Sequence, residues 1–361
     1  MEKYRVGIVG ATGMVGQRFI SLLKDHPWFE VNCVAASARS AGKTYREAVG
    51  ERWAFSWEIL EKVAGMTVVD AADIDEVSKH VDFVFCAVDM KKDEIRALEE
   101  AYAKHEIPVV SNNSACRGIE DVPMVVPEIN ADHLAVIEAQ KKRLGTKNGF
   151  IAVKPNCSIQ SYVPALTPLL DFEPEKVSVC TYQAISGAGK TFKTWPEMVD
   201  NVIPYIGGED EKSENEPLKL WGHVEDGKIV NATLPVISAQ CLRVACSDGH
   251  MAAVSVSFKK KPTIEQIKER WANYETEAQR LELPSAPKPF LQYFEDPSRP
   301  QTRLDRDFQN GFGVSIGRLR EDKLFDYRFV CLSHNTVRGA AGGGILTAEL
   351  LCRKGYIPHR V

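Results

Sequence analysis

A short apolar run, YRVGIV at residues 4–9, passes straight into GATGMVGQRF, so that Gly10, Gly13 and Gly16 recur at three-residue intervals just where a helix can begin. Glycines there let a chain turn tightly out of a strand and pack the next helix closely against it. Further apolar runs follow at 31–36 (VNCVAA), 66–69, 81–88 (VDFVFCAV) and 107–111 (IPVVS), with helix-like segments such as KKDEIRALEEAYAKH between them. Strands alternating with helices imply a parallel sheet covered on both faces. From about residue 176 the texture changes to longer alternating runs, KVSVCTYQAIS, IVNATLPVIS, CLRVACSDGHMAAVSVSF and FDYRFVCLSH. These predict a second sheet, mixed but largely antiparallel.

The 361 residues suit two domains of ordinary size. The expected fold class is α/β: an N-terminal Rossmann-like domain over 1–155, completed by a glycine-rich turn and apolar helix at 336–361, and an α+β domain over 156–335. Two stretches read as extended loops or arms, the acidic GGEDEKSENEP (207–217) and a Pro-rich passage from Leu283 to Arg306.

Composition narrows the function classes. With 45 basic and 49 acidic residues the net charge is −4, which offers no global field for nucleic acid or an anionic membrane. No apolar run of about 18 residues is present, and the start reads as a strand rather than a targeting segment, so a cytoplasmic protein is expected. Nine cysteines without a CxxC pair predict reduced thiols and no structural metal. Cys241, Cys246 and His250 lie close in sequence but lack a fourth ligand.

On the first strand of a βαβ pattern, the glycine turn reads as a dinucleotide site, its free N–H groups and helix N-terminus holding a pyrophosphate. Gly10, Thr12, Gly13, Met14 and Val15 are the candidate contacts. An NAD site would normally end its second strand in a carboxylate, whereas here the strand runs into AASARSAGK. Ser37, Arg39 and Ser40 therefore favour NADP, with Arg39 facing a 2′-phosphate.

KPNCSIQSY (154–162) places Cys157 after Asn156, a good N-cap, in the expected first turn of a helix. A helix N-terminus and nearby cations would lower its thiol pKa and make it reactive. Partners are sought in CLRVACSDGHMAAVSV, where a hairpin turn at ACSDG would set Arg243 and His250 opposite each other. Such a histidine can exchange protons at neutral pH, and such an arginine can hold a carboxylate.

GATGMVG, SARSAGK, SNNSACR, PNCSIQ, YQAISGAG, ENEPLK, RVACSDGH and HNTVRGAAGGG occur in this order over nearly the whole chain. In this the sequence resembles the aspartate-semialdehyde dehydrogenases, in particular their archaeal and fungal branch. It departs from that pattern at Gln160 and Ser161, where small or apolar residues are expected.

The resemblance implies Cys157 as nucleophile, His250 as general acid/base and Gln183 as the residue positioning the reacting group. It implies Arg243 for the substrate α-carboxylate, Glu216 near its amino group, Lys219 and Arg117 for phosphate, and Asn156 beside the reacting carbonyl. Ser186, Gly187 and Asn335 are implied at the nicotinamide end of NADP. The implied reaction is NADPH-dependent conversion of L-4-aspartyl phosphate to L-aspartate 4-semialdehyde through a cysteine thioester, for aspartate-family amino acids. Alternatives with the same covalent logic are malonyl-CoA or succinyl-CoA reductase and N-acetyl-glutamyl-phosphate reductase; a non-catalytic NADPH-binding redox sensor is the alternative from another class. The expected partners are the small-molecule substrate, inorganic phosphate and further copies of the chain as homodimer or homotetramer, through the second sheet.

Overall fold

The computed structural model describes residues 2–359. Residue 1 of the expected first domain and residues 360 and 361 of the expected C-terminal segment lie outside the described residues. Six strands, β1 (Tyr4–Val9), β2 (Phe29–Ala36), β3 (Val69–Asp70), β4 (Phe83–Cys86), β5 (Val109–Ser111) and β6 (Ile151–Val153), form a sheet in the order β3-β2-β1-β4-β5-β6. Every pairing in it is parallel. Its strands are apolar on both sides because both faces are covered: Val84, Val109 and Ile151 enter one core, Phe83, Phe85 and Val110 another.

Strand order reverses between β1 and β4, which opens a crevice at their C-terminal ends. Gly10 forms its floor at φ +90°, and a Cβ there would lie 2.4 Å from the Ala87 carbonyl oxygen. A Cβ at Gly16 would lie 2.3 Å from the Gly10 oxygen. Helix Met14–Leu22 therefore approaches β1 as closely as backbone allows. The C-terminal helix Gly342–Arg353 returns to this region, packing Ile345, Leu346 and Leu350 with Ile8 and Phe19.

The second sheet takes β7 (Pro174–Gln183), β8 (Val202–Ile203), β11 (Val236–Val244), β12 (His250–Phe258), β13 (Leu291–Phe294), β14 (Val314–Glu321) and β15 (Tyr327–Ser333), while β9 (His223–Glu225) and β10 (Lys228–Val230) make a separate ribbon. Its order is β13-β14-β15-β12-β7-β11-β8. β12 pairs antiparallel with β15 and β7, as β14 does with β15 and β8 with β11, whereas β7–β11 and β13–β14 are parallel. The sheet is thus mixed and largely antiparallel. Val177, Val179, Val254 and Val256 face the core with Ile159, Tyr162 and Leu166, and alternate residues such as Tyr182, Met251 and Ala253 face outward.

Three sequence expectations change. β11 and β12 are not a hairpin, because β7 lies between them and takes β11 as a parallel partner; segment 245–249 crosses the width of that strand. The acidic stretch is not a loop but most of helix Glu209–Leu220, whose first turn carries Glu209, Asp210 and Glu211 where the helix dipole favours them. Asp210 and Glu214, one turn apart, accept the edge N–H groups of Cys241 and Ala239 at 2.8 and 3.0 Å, so these acids close a sheet edge. Cys157 lies not in a regular helix but in a run of turns preceding the short helix Val163–Leu166. The 283–306 passage is mostly irregular, with β13 and a helical turn, Thr302–Asp305, inside it.

Candidate active site

From Ile151 to Leu166 every residue but Cys157 is buried, so the thiol is what this segment shows to the cleft. Asn156 shapes the turn: its Oδ1 accepts the Ser158 N–H and hydroxyl, both at 2.7 Å. On the other side Gly339 abuts it, and a Cβ there would lie 2.9 Å from Cys157 Cβ.

His250, at the start of β12, is wholly buried with Nε2 3.4 Å from Cys157 Sγ. Its Nδ1 takes the Ala184 N–H at 3.0 Å. An amide can only donate, so the neutral ring carries its proton on Nε2, aimed at the sulfur. Burial first, then Arg243, push the imidazole down to about 3. The ring is accordingly neutral at physiological pH and donates to sulfur rather than accepting from it.

The thiol differs from its sequence expectation. Burial, followed by Glu209, raises its pKa, and Lys154, Arg243 and Arg117 oppose that shift. Without a regular helix terminus beneath it, Cys157 depends on those cations for its ionisation.

Arg243 meets His250 by another route than a hairpin. Its Nη1 donates to the Ala184 oxygen at 2.7 Å while Ala184 N–H holds the imidazole. Both side chains border Gly187, where a Cβ would lie 2.8 Å from Arg243 Nη1 and 3.0 Å from His250 Nε2. Ser186 Oγ accepts from Asn335 Nδ2 at 2.9 Å, and Asn335 Oδ1 accepts the Gly249 N–H at 2.8 Å. The structure thus gathers Ser186, Gly187 and Asn335 beside Cys157 and His250.

Gln183 is buried and donates to Glu209 at 3.2 Å. Glu209 also receives Asn156 Nδ2 at 2.9 Å and Lys212 Nζ at 2.8 Å. Burial works against this carboxylate, and those partners more than offset it, so its pKa is lowered. Sequence reasoning missed Glu209, Lys212 and Lys154. The signal for the first pair was the second ExxK spacing in the acidic stretch, 209–212. Lys154 stands in KPNC itself, buried with its Nζ donating to the Pro155 oxygen at 2.5 Å, and burial and Arg117 push it down to about 7.

Arg117 and Lys219 border the same cavity, but Lys219 turns its ammonium to backbone. Its Nζ donates to the carbonyls of Arg117, Ile119 and Val122 at 2.7, 2.7 and 3.0 Å, using all three ammonium hydrogens. Glu216 is likewise engaged, by Arg117 Nη1 at 3.0 Å and the Asn156 N–H at 2.5 Å. The cavity, of about 280 Å³, is lined by Lys92, Ser114, Arg117 and Lys212 together with Glu216 and Lys219, and Arg117 Nε is buried without a partner.

The first sheet fits a dinucleotide. A Cβ at Gly13 would meet nothing nearer than 3.5 Å, leaving the space before the helix Met14–Leu22 open. Thr12, Met14 and Val15 line that terminus. β2 ends at Ala36 without a carboxylate, and Ser37 and Arg39 are exposed beyond it while Ser40 folds inward to donate its N–H to the Ser37 oxygen at 2.8 Å. Cys241 and Cys246 turn to Ser213 and Thr302, so with His250 they do not converge.

Two family models match: the semialdehyde dehydrogenase NAD binding domain over residues 5–137 and the semialdehyde dehydrogenase dimerisation domain over 166–338. An aspartate-semialdehyde dehydrogenase of Aspergillus fumigatus is 43% identical, over 98% of this chain and 99% of its own. The chain belongs to the aspartate-semialdehyde dehydrogenase family. Another member, from Archaeoglobus fulgidus, is also 43% identical, over 98% of this chain and all of its own. The crystal structure of the Candida albicans aspartate-semialdehyde dehydrogenase with NADP superposes with a TM-score of 0.89 at 38% identity, covering 99% of this chain and 100% of that one. The archaeal and fungal resemblance read from the motifs is therefore supported along the whole chain. No helix among the described residues is long and apolar enough to cross a membrane.

Proposed function

We propose that this protein reduces L-4-aspartyl phosphate to L-aspartate 4-semialdehyde with NADPH, reversibly and through a thioester on Cys157. The observation that carries the reading is one half-buried thiol, 3.4 Å from a buried imidazole that holds its proton toward the sulfur, next to a cavity lined by an arginine with an unpartnered nitrogen. Full-length family membership and the NADP named for the Candida relative support it.

Arg243 binds the substrate α-carboxylate, and Glu209, which gathers Gln183, Asn156 and Lys212 around the site, receives the amino group rather than Glu216, which is spent on Arg117 and the Asn156 backbone. Gln183 and Asn156, both held by Glu209, flank the reacting carbonyl. Arg117 and Lys212 hold the leaving phosphate, replacing the Arg117–Lys219 pair. As the substrate docks, Lys154, Arg243 and Arg117 favour the thiolate. The sulfur attacks the acyl carbon, the C–O bond to phosphate breaks, and the thioester remains on Cys157.

Gly10, Gly13 and the first turn of helix Met14–Leu22 would hold the pyrophosphate, Arg39 and Ser37 the 2′-phosphate, and Ser186, Gly187 and Asn335 the nicotinamide end. When bound, NADPH supplies a hydride to the thioester carbonyl carbon. His250 Nε2–H hydrogen-bonds the sulfur while it is anionic and takes the acid/base role as the hemithioacetal forms and collapses.

Residues 1–155 with 336–361 form the nucleotide-binding domain, and 156–335 the catalytic and dimerisation domain. The outward face of the second sheet, with Tyr182 and Met251, meets a second copy, in a cytoplasmic homodimer or homotetramer. NADP reduction by L-aspartate 4-semialdehyde, measured with and without inorganic phosphate, tests the function. A strict phosphate requirement is expected; a rate indifferent to phosphate contradicts it, and a rate that needs coenzyme A in place of phosphate favours an acyl-CoA reductase.

A further inference from the structure

The helix Glu209–Leu220 lays one face along the nucleophile turn: Glu209 on Asn156, Ser213 Oγ 3.3 Å from Ser158 Oγ, and Glu216 on the Asn156 backbone. Glu216 gives each of its two oxygens to a different piece of chain. Oε1 takes Arg117 Nη1 at 3.0 Å, from the SNNSACR loop after β5; Oε2 takes the N–H of Asn156 at 2.5 Å, one residue before the nucleophile. One turn further along the helix, Lys219 pins the carbonyls of Arg117, Ile119 and Val122.

We propose that Glu216 is a positioning residue that couples the phosphate-holding arm to the nucleophile, one carboxylate seating both Arg117 and the Asn156–Cys157 turn. The inference rests on the reading that Arg117 holds phosphate. Glu216 is nearly buried, as is Arg117, with side chains about a tenth exposed. A carboxylate so placed is a strong acceptor for two donors at once, and no neutral group replaces it. An amide accepts through one oxygen and turns its NH2 toward the other donor, so Glu216→Gln must release either the guanidinium or the turn and strain the remaining contact. Lys219 holds the far end of the same loop, which leaves Arg117 a fixed pivot whose direction Glu216 sets.

The test pairs two readouts that a brace acting on one partner alone would not move together. The first is KM for inorganic phosphate in the oxidative direction. The second is the limiting rate of Cys157 alkylation by iodoacetamide at high pH, without phosphate, where the thiol is ionised and pKa effects drop out. Glu216→Gln is expected to raise the phosphate KM about tenfold and to change the limiting alkylation rate by about threefold or more, with far-UV circular dichroism unchanged. In an Arg117→Ala background the same substitution should leave the already raised KM unmoved and still change the alkylation rate. Should Glu216→Gln fail to fold, Glu216→Asp serves, because a carboxylate shorter by one methylene cannot reach both donors. A change in only one readout overturns the coupling. If the unaltered enzyme oxidises the semialdehyde without phosphate, the functional reading has failed instead, and the two failures are distinct.

Discussion

Adding one methyl group at Gly187 should disable the site without removing any of its polar groups. Its Cβ would stand 2.8 Å from Arg243 Nη1 and 3.0 Å from both Cε1 and Nε2 of His250. Ordinary contact needs about 3.5–4.0 Å, so these groups must retreat by about 0.5–1 Å. Neither is free to do so. His250 is buried and tied to the Ala184 N–H, Arg243 is tied to the Ala184 oxygen, and that oxygen also accepts the Gly187 N–H at 3.0 Å. The Nε2–Sγ separation is already 3.4 Å, so retreat of the ring breaks it. A misplacement of about 1 Å at reacting groups costs on the order of a hundredfold in rate, and overpacking costs about 1–3 kcal/mol of stability. Gly187→Ala is therefore expected to lower kcat/KM for phosphate-dependent semialdehyde oxidation about a hundredfold, with a modest fall in calorimetric Tm. Activity within threefold of the parent would refute the packing argument.

Three more outcomes follow from the same geometry. Arg39→Ala should raise KM for NADP about tenfold or more and leave NAD kinetics unchanged in steady-state assays, since the guanidinium contributes only through the 2′-phosphate. Lys154→Met should slow Cys157 alkylation at neutral and lower pH, because the ammonium favours the thiolate. Lys154 is pushed down to about 7, so the difference between variant and parent should be full below that pH and shrink as the parent's lysine loses its proton above it. Glu128→Ala strands Arg338, otherwise held by two bonds of 2.8 and 3.0 Å with both side chains buried, and should cost about 3–5 kcal/mol by denaturant titration.

Much of this was legible before the structure. The parallel sheet was visible because strands buried on both faces leave near-continuous apolar runs, and the glycine turn because Gly10 and Gly16 are set by contacts that exclude a Cβ. Cys157 and His250 stood out as residue types with chemistry in turn-like surroundings. The hairpin expected at ACSDG failed because β7, about 60 residues earlier in the chain, inserts between the two strands, and long-range pairing leaves no mark in local spacing. The acidic helix was hidden for a related reason. Its acidic sequence read as a loop or arm, while its acids were there to satisfy edge N–H groups, Asn156 and Arg117. Two ExxK spacings compete within that helix for the proposed phosphate lysine, and the contacts of Lys219 to three carbonyls, which favour Lys212, are invisible in the sequence. The direction of the thiol shift was also beyond reach, since burial and Glu209 outweigh Lys154 of the same segment and the cations Arg117 and Arg243 from two others.

The account stands on Cys157 carrying the acyl group, and that bond can be seen directly. The protein is mixed with L-4-aspartyl phosphate in the absence of nucleotide, quenched in acid, digested and read by mass spectrometry. One aspartyl group should be found on the Cys157 peptide, released by hydroxylamine, discharged by NADPH and absent from Cys157→Ser. Turnover with that peptide unmodified, or an active Cys157→Ser enzyme, would contradict the thioester mechanism.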